Sequence, residues 1–544
     1  MTSNIRNPLL LPEIARHVAS LCPFREGRDW AYTCKTLFNA SIPIIWESLN
    51  NDEHLLKLIP GVRITKEPDP SEKGKVINLE HLLKLIPGVR ITKEPDPSEK
   101  GKVINLLLVE RALTENWTRY WHYAPFVKHL ILFTGGDVRV RGWHFLFLKM
   151  KEGALLPNLH TLKARVPFEY SQFDRLAWFA LFLSPSLRVL DLDNGYYEQW
   201  IKPRLPMNSV SLLLAALSES LPAHSKNYLS IRYRCPSEHA LASVCPTEYQ
   251  EGYYWFNNIP NLTHLRELGI TVFPDPEPTR DALCVIAHLP LLEQLTLYFV
   301  VNYEREREGG YDFNHTLPCS PKLFPSLRSL NLERVPNARM FRWIWGLKPL
   351  VSGVSLARID RDFSSNPEEF DANIIQPMRE GSPSPSNLSI SVSGLRHMGA
   401  LEIACELMSR MPLKVLEIHG VAGWGPYPAI YQASTFSHLR RLSFWTPLVP
   451  EQWRVLTNLA KALPNLEYLF IWPLIRALKP WGLDSTDVEH PALQPIHMEI
   501  EVFVLENRTR EERENHTRPL LKCLRTIWPN ASFLVGGIAT PIRV

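Results

Sequence analysis

One phrase returns along most of this chain and limits what it can fold into. It reads (F/L/M)-P-x-L-x-x-L-x-(L/I/F). Clear copies are "LPNLHTLKA" at 156–164, "SPSLRVLDLDN" at 184–194, "LTHLRELGITV" at 262–272 and "LPLLEQLTLYF" at 289–299. "FPSLRSLNLERV" at 324–335, "MPLKVLEIHGV" at 411–421, "FSHLRRLSFW" at 436–445 and "LPNLEYLFIW" at 463–472 continue it. Fainter versions are "FVKHLILFTG", "SKNYLSIRYR", "VSGVSLARID" and "PSNLSISVSG". The last two apolar positions alternate, as on a short strand with one buried face. The proline ahead of them ends the preceding segment and sets φ for a turn. Segments before the phrase carry helical periodicity, among them "SQFDRLAWFALFLS", "VSLLLAALSESL", "TRDALCVIAHL", "LEIACELMSRM" and "EQWRVLTNLAKAL".

Helix, turn and strand in one unit is the plan of a leucine-rich repeat. The leucine that opens each strand pair falls at 162, 190, 268, 295, 330, 416, 442 and 469, with several neighbours 26 to 28 residues apart. No unit keeps the asparagine or cysteine of the standard repeat, although Asn194 follows one strand. The chain therefore resembles irregular leucine-rich-like repeats over residues 111–544. A doubly wound α/β domain is the competing plan, but it calls for a switch-point crevice with a phosphate loop. Neither GxGxxG nor GxxxxGK[ST] occurs.

The first fifty residues read differently. "LLPEIARHVASL" places Pro12 in the first turn of a helix, where its missing N–H costs nothing. Ile14, Val18 and Leu21 form one stripe on it. Asp29 would cap a second helix, "WAYTCKTLFNAS", and "SIPIIWESL" starts a third with Pro43 in its first turn. Three short helices make a very small core that gains from docking on a partner.

"LLPEIARHV…DWAYTCKTLFNASIPIIWESL", residues 8–50, resembles an F-box: a Leu-Pro start, a Cys-Lys pair in the second helix, and a Leu/Trp-containing close. It departs in the Pro-Phe-Arg-Glu-Gly-Arg linker, where the family often has an aspartate-leucine pair; Asp29-Trp30 stands near that place. The resemblance implies docking on a Skp1-type linker and through it on a cullin. By position, Leu11, Pro12, Ile14, Val18, Cys34, Leu37, Trp46 and Leu49 would face or support that partner. The repeats resemble those that follow F-boxes in many proteins, notably in large fungal families. The expected fold class is α/β: an N-terminal three-helix F-box-like bundle over 1–50, then an irregular leucine-rich-repeat-like solenoid.

Between the two, residues 53–79 recur without a substitution at 80–106 as "EHLLKLIPGVRITKEPDPSEKGKVINL". Packing cannot enforce such identity, because a polar turn is nearly free to drift. A recent in-frame duplication or an error in the assembled gene explains it better than a function. Residues 51–110 are thus a linker or a first repeat region. A solenoid tolerates an extra unit, and a long surface loop costs little.

Long inserts follow several strands and concentrate aromatic residues, which are favoured at interface anchors. Tyr196, Tyr197, Trp200, Tyr253, Tyr254, Trp255, Tyr303 and Tyr311 are the target-binding candidates. The tail "LENRTREERENHTRPLLKCL" reads as a solvated charged helix face. The 60 Lys and Arg against 56 Asp and Glu leave a charge of +4, which gives no polyanion footprint, so nucleic acid is not expected as a partner. No apolar run is long enough to span a membrane and no secretory signal opens the chain, so a cytoplasmic or nuclear protein is expected. The eight cysteines form no CxxC pair and read as reduced, mostly buried thiols, with neither metal nor cofactor expected. No hydrolase, kinase or metalloprotease motif occurs, and no catalytic residue is assigned. The sequence thus points to a non-enzymatic adaptor of a cullin-RING ubiquitin ligase. A leucine-rich-repeat scaffold with a degenerate F-box is the alternative.

Overall fold

Leucines spaced one repeat apart can share a core only if their strands run parallel and in register, and they do. The protein was analysed as a computed structural model. It describes residues 12–21, 34–49, 63–65, 103–107, 116–132, 137–141, 144–164, 172–192, 207–221, 228–233, 258–272, 276–299, 323–362, 370–381, 385–393, 400–420, 436–448, 454–475, 491–492, 494–501, 503–504, 510–536 and 542–543. The chain divides into two units, Met1–Leu268 and Gly269–Val544.

Unit 1 begins with helices α1 (Pro12–Leu21) and α2 (Lys35–Glu47), then strands β1 (Ser48–Leu49), β2 (Arg63–Thr65) and β3 (Val103–Leu107). There follow α3 (Thr118–Tyr123), β4 (His129–Leu132), β5 (Asp137–Arg141), α4 (His144–Met150), β6 (Thr161–Ala164), α5 (Gln172–Leu181), β7 (Val189–Asp191), α6 (Met207–Ser220) and β8 (Leu229–Arg232). Strand β9 (Leu265–Val272) crosses the unit boundary. Strands β1, β4, β6, β7 and β8 pair in that order, all parallel. Leu130, Leu162, Leu190 and Ile231 stand in one register column, each buried.

Unit 2 holds α7 (Pro276–Ile286), β10 (Gln294–Phe299), β11 (Ser329–Glu333), α8 (Ala338–Gly346), α9 (Lys348–Val351), β12 (Leu356–Asp362), α10 (Gln376–Gly381), β13 (Asn387–Ser393) and α11 (Ala400–Arg410). It continues with β14 (Val415–His419), β15 (Arg441–Leu448), α12 (Arg454–Ala462), β16 (Tyr468–Ile475), β17 (Ile496–Glu501), β18 (Phe503–Val504), α13 (Arg510–Ile527), β19 (Ala531–Gly536) and β20 (Ile542–Arg543). Strands β10 through β17 pair parallel with their sequence neighbours, and β19 joins β17. Leu295, Leu330, Ala357, Leu388, Leu416, Leu442, Leu469, Met498 and Phe533 form its column. All nine are buried. The pairing of β15 with β16 shifts between Ser443 and Pro447, where proline has no N–H to give the ladder.

Two further devices tie each repeat to the one before it. The first is a forked carbonyl at strand entry. Lys128 O accepts from both His160 N (2.8 Å) and Thr161 N (2.9 Å). The carbonyls of His160, Glu293, Arg328, Ser355, Ser386, Lys414 and Arg440 do the same for the repeats that follow them. The second uses the polar residue of the Pro-x-Leu phrase. Asn158 Nδ2 donates to Pro125 O (2.8 Å), Ser326 Oγ to Pro290 O (2.7 Å) and Asn465 Nδ2 to Ser437 O (2.9 Å). Each clamp satisfies a carbonyl of the preceding turn that strand pairing leaves open.

The four faint phrases are strands too: they supply β4, β8, β12 and β13. The five segments with helical periodicity lie on α5, α6, α7, α11 and α12. Strands β17 and β19 were not expected. Their signal was alternation without leucine, as in Ile496, Met498 and Ile500, all buried. The charged tail is also corrected. It forms α13, but Leu520, Leu521, Leu524 and Ile527 are buried, so its second half is a core helix.

The N-terminal expectation of three helices is corrected as well. Over the described residues there are two, because α2 runs from Lys35 through Pro43 to Glu47 without a break. Pro43 removes one helical hydrogen bond. Burial of Ala40, Ser41 and Ile42 just ahead of it offsets that loss, and the helix continues through the proline. The expected cap Asp29 lies outside the described residues. Of the duplicated segment, β2 belongs to the first copy and β3 to the second. They pair antiparallel, and β3 pairs parallel with β5, in a three-stranded sheet separate from the leucine ladder.

Leu416 has buried neighbours in its column on both sides, Leu388 and Leu442. Leu416→Ala should lower the stability of unit 2 by about 3–5 kcal/mol. The adjacent outward residue, Val415→Ala, should cost far less. Urea unfolding followed by tryptophan fluorescence compares the two.

Candidate docking surfaces

In a strand whose even positions feed the core, the odd positions are presented outward, and in a parallel stack they line up in rows. On β13 to β17 these rows carry a joined set of polar and aromatic groups. His419 stacks on Trp445 with ring centroids 5.4 Å apart and planes at 8°, and Trp445 stacks on Phe470 at 4.2 Å. Trp445 is 40 % exposed in the middle of this row. Beside it the Arg441 guanidinium sits 4.6 Å over the Tyr468 ring, whose hydroxyl donates to Glu499 at 2.6 Å. Burial first, then that carboxylate, hold the Tyr468 phenol well above its ordinary range. His497 Nδ1 meets Ser532 Oγ at 2.9 Å.

Ser389, Glu417 and His419 invite comparison with a hydrolytic relay. His419 Nε2 lies 3.4 Å from Ser389 Oγ and 3.8 Å from Glu417 Oε2. Both contacts fall on one ring nitrogen. A relay needs the acid on the other nitrogen, so that the imidazole can pass a proton between them. The cluster instead fixes a charged carboxylate: the His419 contact first, then Ser389 and Arg358, keep Glu417 below its usual range against its partial burial.

In unit 1 the outward side of β8 is anchored by one acid. Glu267 accepts from Tyr228 Oη (2.9 Å), Ser230 Oγ (2.8 Å) and Arg232 Nε (2.8 Å). Burial would raise its pKa, but the hydrogen bonds from Ser230, Arg232 and Tyr228 outweigh it and hold the carboxyl low.

The linker-facing residues expected from the sequence divide into two groups. Helix α1 packs against α2, with Ala15 and Ala19 buried. Its other side presents Ile14 (38 % exposed), the half-buried Val18, and Leu21 (71 % exposed). Pro12 opens this helix. The remaining expected residues sit at or beyond α2. Cys34 is at its N-cap and Leu37 lies in its first turn, both half-buried. Trp46 stacks on Tyr123 at 4.9 Å, and β1 pairs Leu49 with Leu130. Lys128 Nζ reaches Glu47 at 3.0 Å, and its N–H donates to Glu47 O at 2.9 Å. Trp46 and Leu49 therefore join the α1–α2 hairpin to the first strand of the ladder. Leu11 lies outside the described residues. So do all eight aromatic candidates, Tyr196, Tyr197, Trp200, Tyr253, Tyr254, Trp255, Tyr303 and Tyr311. The outward rows of β13 to β17 were missed because the residues between the leucines follow no fixed pattern.

Of the four cysteines described, Cys405 alone is fully buried and Cys34, Cys284 and Cys523 are half-buried; the other four of the expected buried thiols lie outside the described residues. Burial, helped by Glu406 and Glu402, pushes the Cys405 thiol up to about 12, and burial pushes Cys523 up to about 11. Thiols held this high are poor nucleophiles. Among the described residues no group of His, Cys, Asp and Glu is placed to hold a metal ion, and no helix is long and apolar enough to cross a membrane.

Because the folded state holds Glu267 below its unfolded value, the carboxylate stabilises unit 1 above the unfolded pKa. That contribution is lost as pH falls through the lower, folded value. Glu267→Gln should therefore destabilise most near neutral pH, and the gap from wild type should shrink below about pH 4.3. Thermal unfolding of both proteins across that range measures it.

Compared with models of known families and with curated proteins, the chain matches none.

Proposed function

We propose that this chain is a substrate-recognition adaptor of a cullin-RING ubiquitin ligase. In this reading α1 and α2 dock on a Skp1-type linker, which brings the cullin, and the repeats hold a target protein. The chain itself performs no chemistry; it raises the effective concentration of the target beside the conjugating enzyme. The observation that supports this most is the stripe of Ile14, Val18 and Leu21. An amphipathic helix normally turns its large apolar residues inward. Helix α1 buries two alanines and leaves Ile14 and Leu21 exposed, so its larger apolar side is open to a partner. The outward rows of unit 2 supply Trp, Tyr and Arg, the residue types that anchor interfaces.

The joint formed by Trp46, Glu47 and Leu49 adds to the reading. A docking hairpin fused to the first strand would present the target at a set distance from the linker. The same observation favours the alternative, a repeat scaffold with no ligase. There Trp46 serves the core of the repeats, and the F-box resemblance is a remnant.

The two readings separate on one measurement. The full chain should bind a purified Skp1-type linker, and Ile14→Asp combined with Leu21→Asp should weaken that binding at least about tenfold. Both positions are exposed, so the variant should keep the far-ultraviolet circular dichroism of the wild type. A wild-type chain that does not bind the linker leaves the scaffold as the account.

A further inference from the structure

The strand-entry edge of unit 1 holds a column of basic groups that linker docking does not use. Lys128, His160 and Arg188 stand at one register position, immediately before β4, β6 and β7. His160 N donates to Lys128 O at 2.8 Å, and Arg188 N donates to His160 O at 2.8 Å. The backbone thus fixes the three as neighbours. Parallel strands lie about 4.8 Å apart, so their side chains rise in steps of that size. His129 stands next in sequence to Lys128 on β4.

Like charges set side by side on adjacent strands oppose folding unless something compensates them. Compensation here is thin. Glu47 reaches Lys128, but among the described residues no carboxylate lies in ion-pair reach of Arg188, His129 or His160. Two cations farther along the strands are engaged, Lys163 with Asp191 at 3.6 Å and Arg232 with Glu267. The crowding registers on the middle member. Burial first, then Arg188, Lys128 and His129, push the His160 imidazole below its ordinary range, against a smaller opposing pull from Glu47.

We propose that this column docks an acidic peptide segment of the target, one that carries Asp or Glu side chains. Carboxylates spaced along an extended chain crossing β4, β6 and β7 would pair with Lys128 and Arg188 and accept a hydrogen bond from the uncharged His160 between them. Glu47 already occupies Lys128 and competes with the incoming carboxylate. A nucleic acid fits less well, because Glu47 stands beside Lys128 in the column and repels a continuous polyanion. The inference rests on the target-binding half of the reading above and is independent of linker docking.

The test is fluorescence anisotropy with the full chain and a labelled peptide alternating Glu and Ser, against its Gln counterpart. The Glu peptide should bind and the Gln peptide should not, with affinity falling as salt rises. Arg188→Glu, at an exposed position, should weaken binding about fivefold or more, a change that corresponds to about 1 kcal/mol. Glu47→Gln frees Lys128 and should tighten binding a few-fold, an effect that general damage to the fold does not produce. Lys461→Glu, at an exposed position of α12 in unit 2, should leave it unchanged. Equal binding of the two peptides, or indifference to Arg188→Glu, overturns the proposal. So does tighter binding of a labelled single-stranded DNA than of the Glu peptide. Linker binding measured on the Arg188→Glu protein keeps the two ideas apart: it should be that of the wild type whether or not the acidic peptide binds.

Discussion

The side-by-side contact of buried leucines on neighbouring parallel strands carries this fold. In unit 2 one column runs from Leu295 to Phe533, and in unit 1 one runs from Leu130 to Ile231. Each fully buried leucine is worth about 1.5–3 kcal/mol relative to leaving it in water. That gain exists only if the next repeat covers it, so no single repeat is stable alone. A slip of one residue would turn every outward polar group inward, which fixes the register. The forked carbonyl at each strand entry enforces the same register through the backbone.

Because cohesion is concentrated in the strand and the turn before it, the rest of each repeat is free to vary. Asn158, Ser326 and Asn465 clamp their turns to partners 33, 36 and 28 residues earlier. The clamps thus operate across repeats of unequal length. The duplicated segment obeys the same rule. It falls between β1 and β4, which pair directly, so a second copy lengthens an excursion without altering the ladder. Closing a longer loop costs little entropy, which is how a duplication of this size leaves β1 and β4 in register.

The start of the ladder also sets the character of the N-terminal hairpin. Its C-terminal end is held by three different forces: the Trp46–Tyr123 stack, the Lys128–Glu47 ion pair and the β1–β4 pairing. Its N-terminal helix has a core side of alanines, which bury little area and let α1 approach α2 closely. The larger apolar groups are left outward. This division suits a module anchored at one end and available at the other, and the adaptor reading draws on it.

The sequence by itself determined the repeating strand and its inward face. Eight copies of one phrase named the leucines that the ladder buries, and the four faint copies marked strands as well. It determined the helices before the phrase through their periodicity, and it named Ile14 and Val18 as one stripe. Only the tertiary structure decided the rest. It joined two expected helices through Pro43, because burial of the preceding turn outweighs one lost hydrogen bond. It put Trp46 against Tyr123, a contact across a long stretch of chain that no local pattern encodes. It turned half of a charged tail into core, because Leu520, Leu521, Leu524 and Ile527 find a covered side that net charge does not reveal. It gathered Lys128, His160 and Arg188 into one column and His419, Trp445 and Phe470 into another. Their spacings in the sequence are unequal, and only the parallel register makes them neighbours.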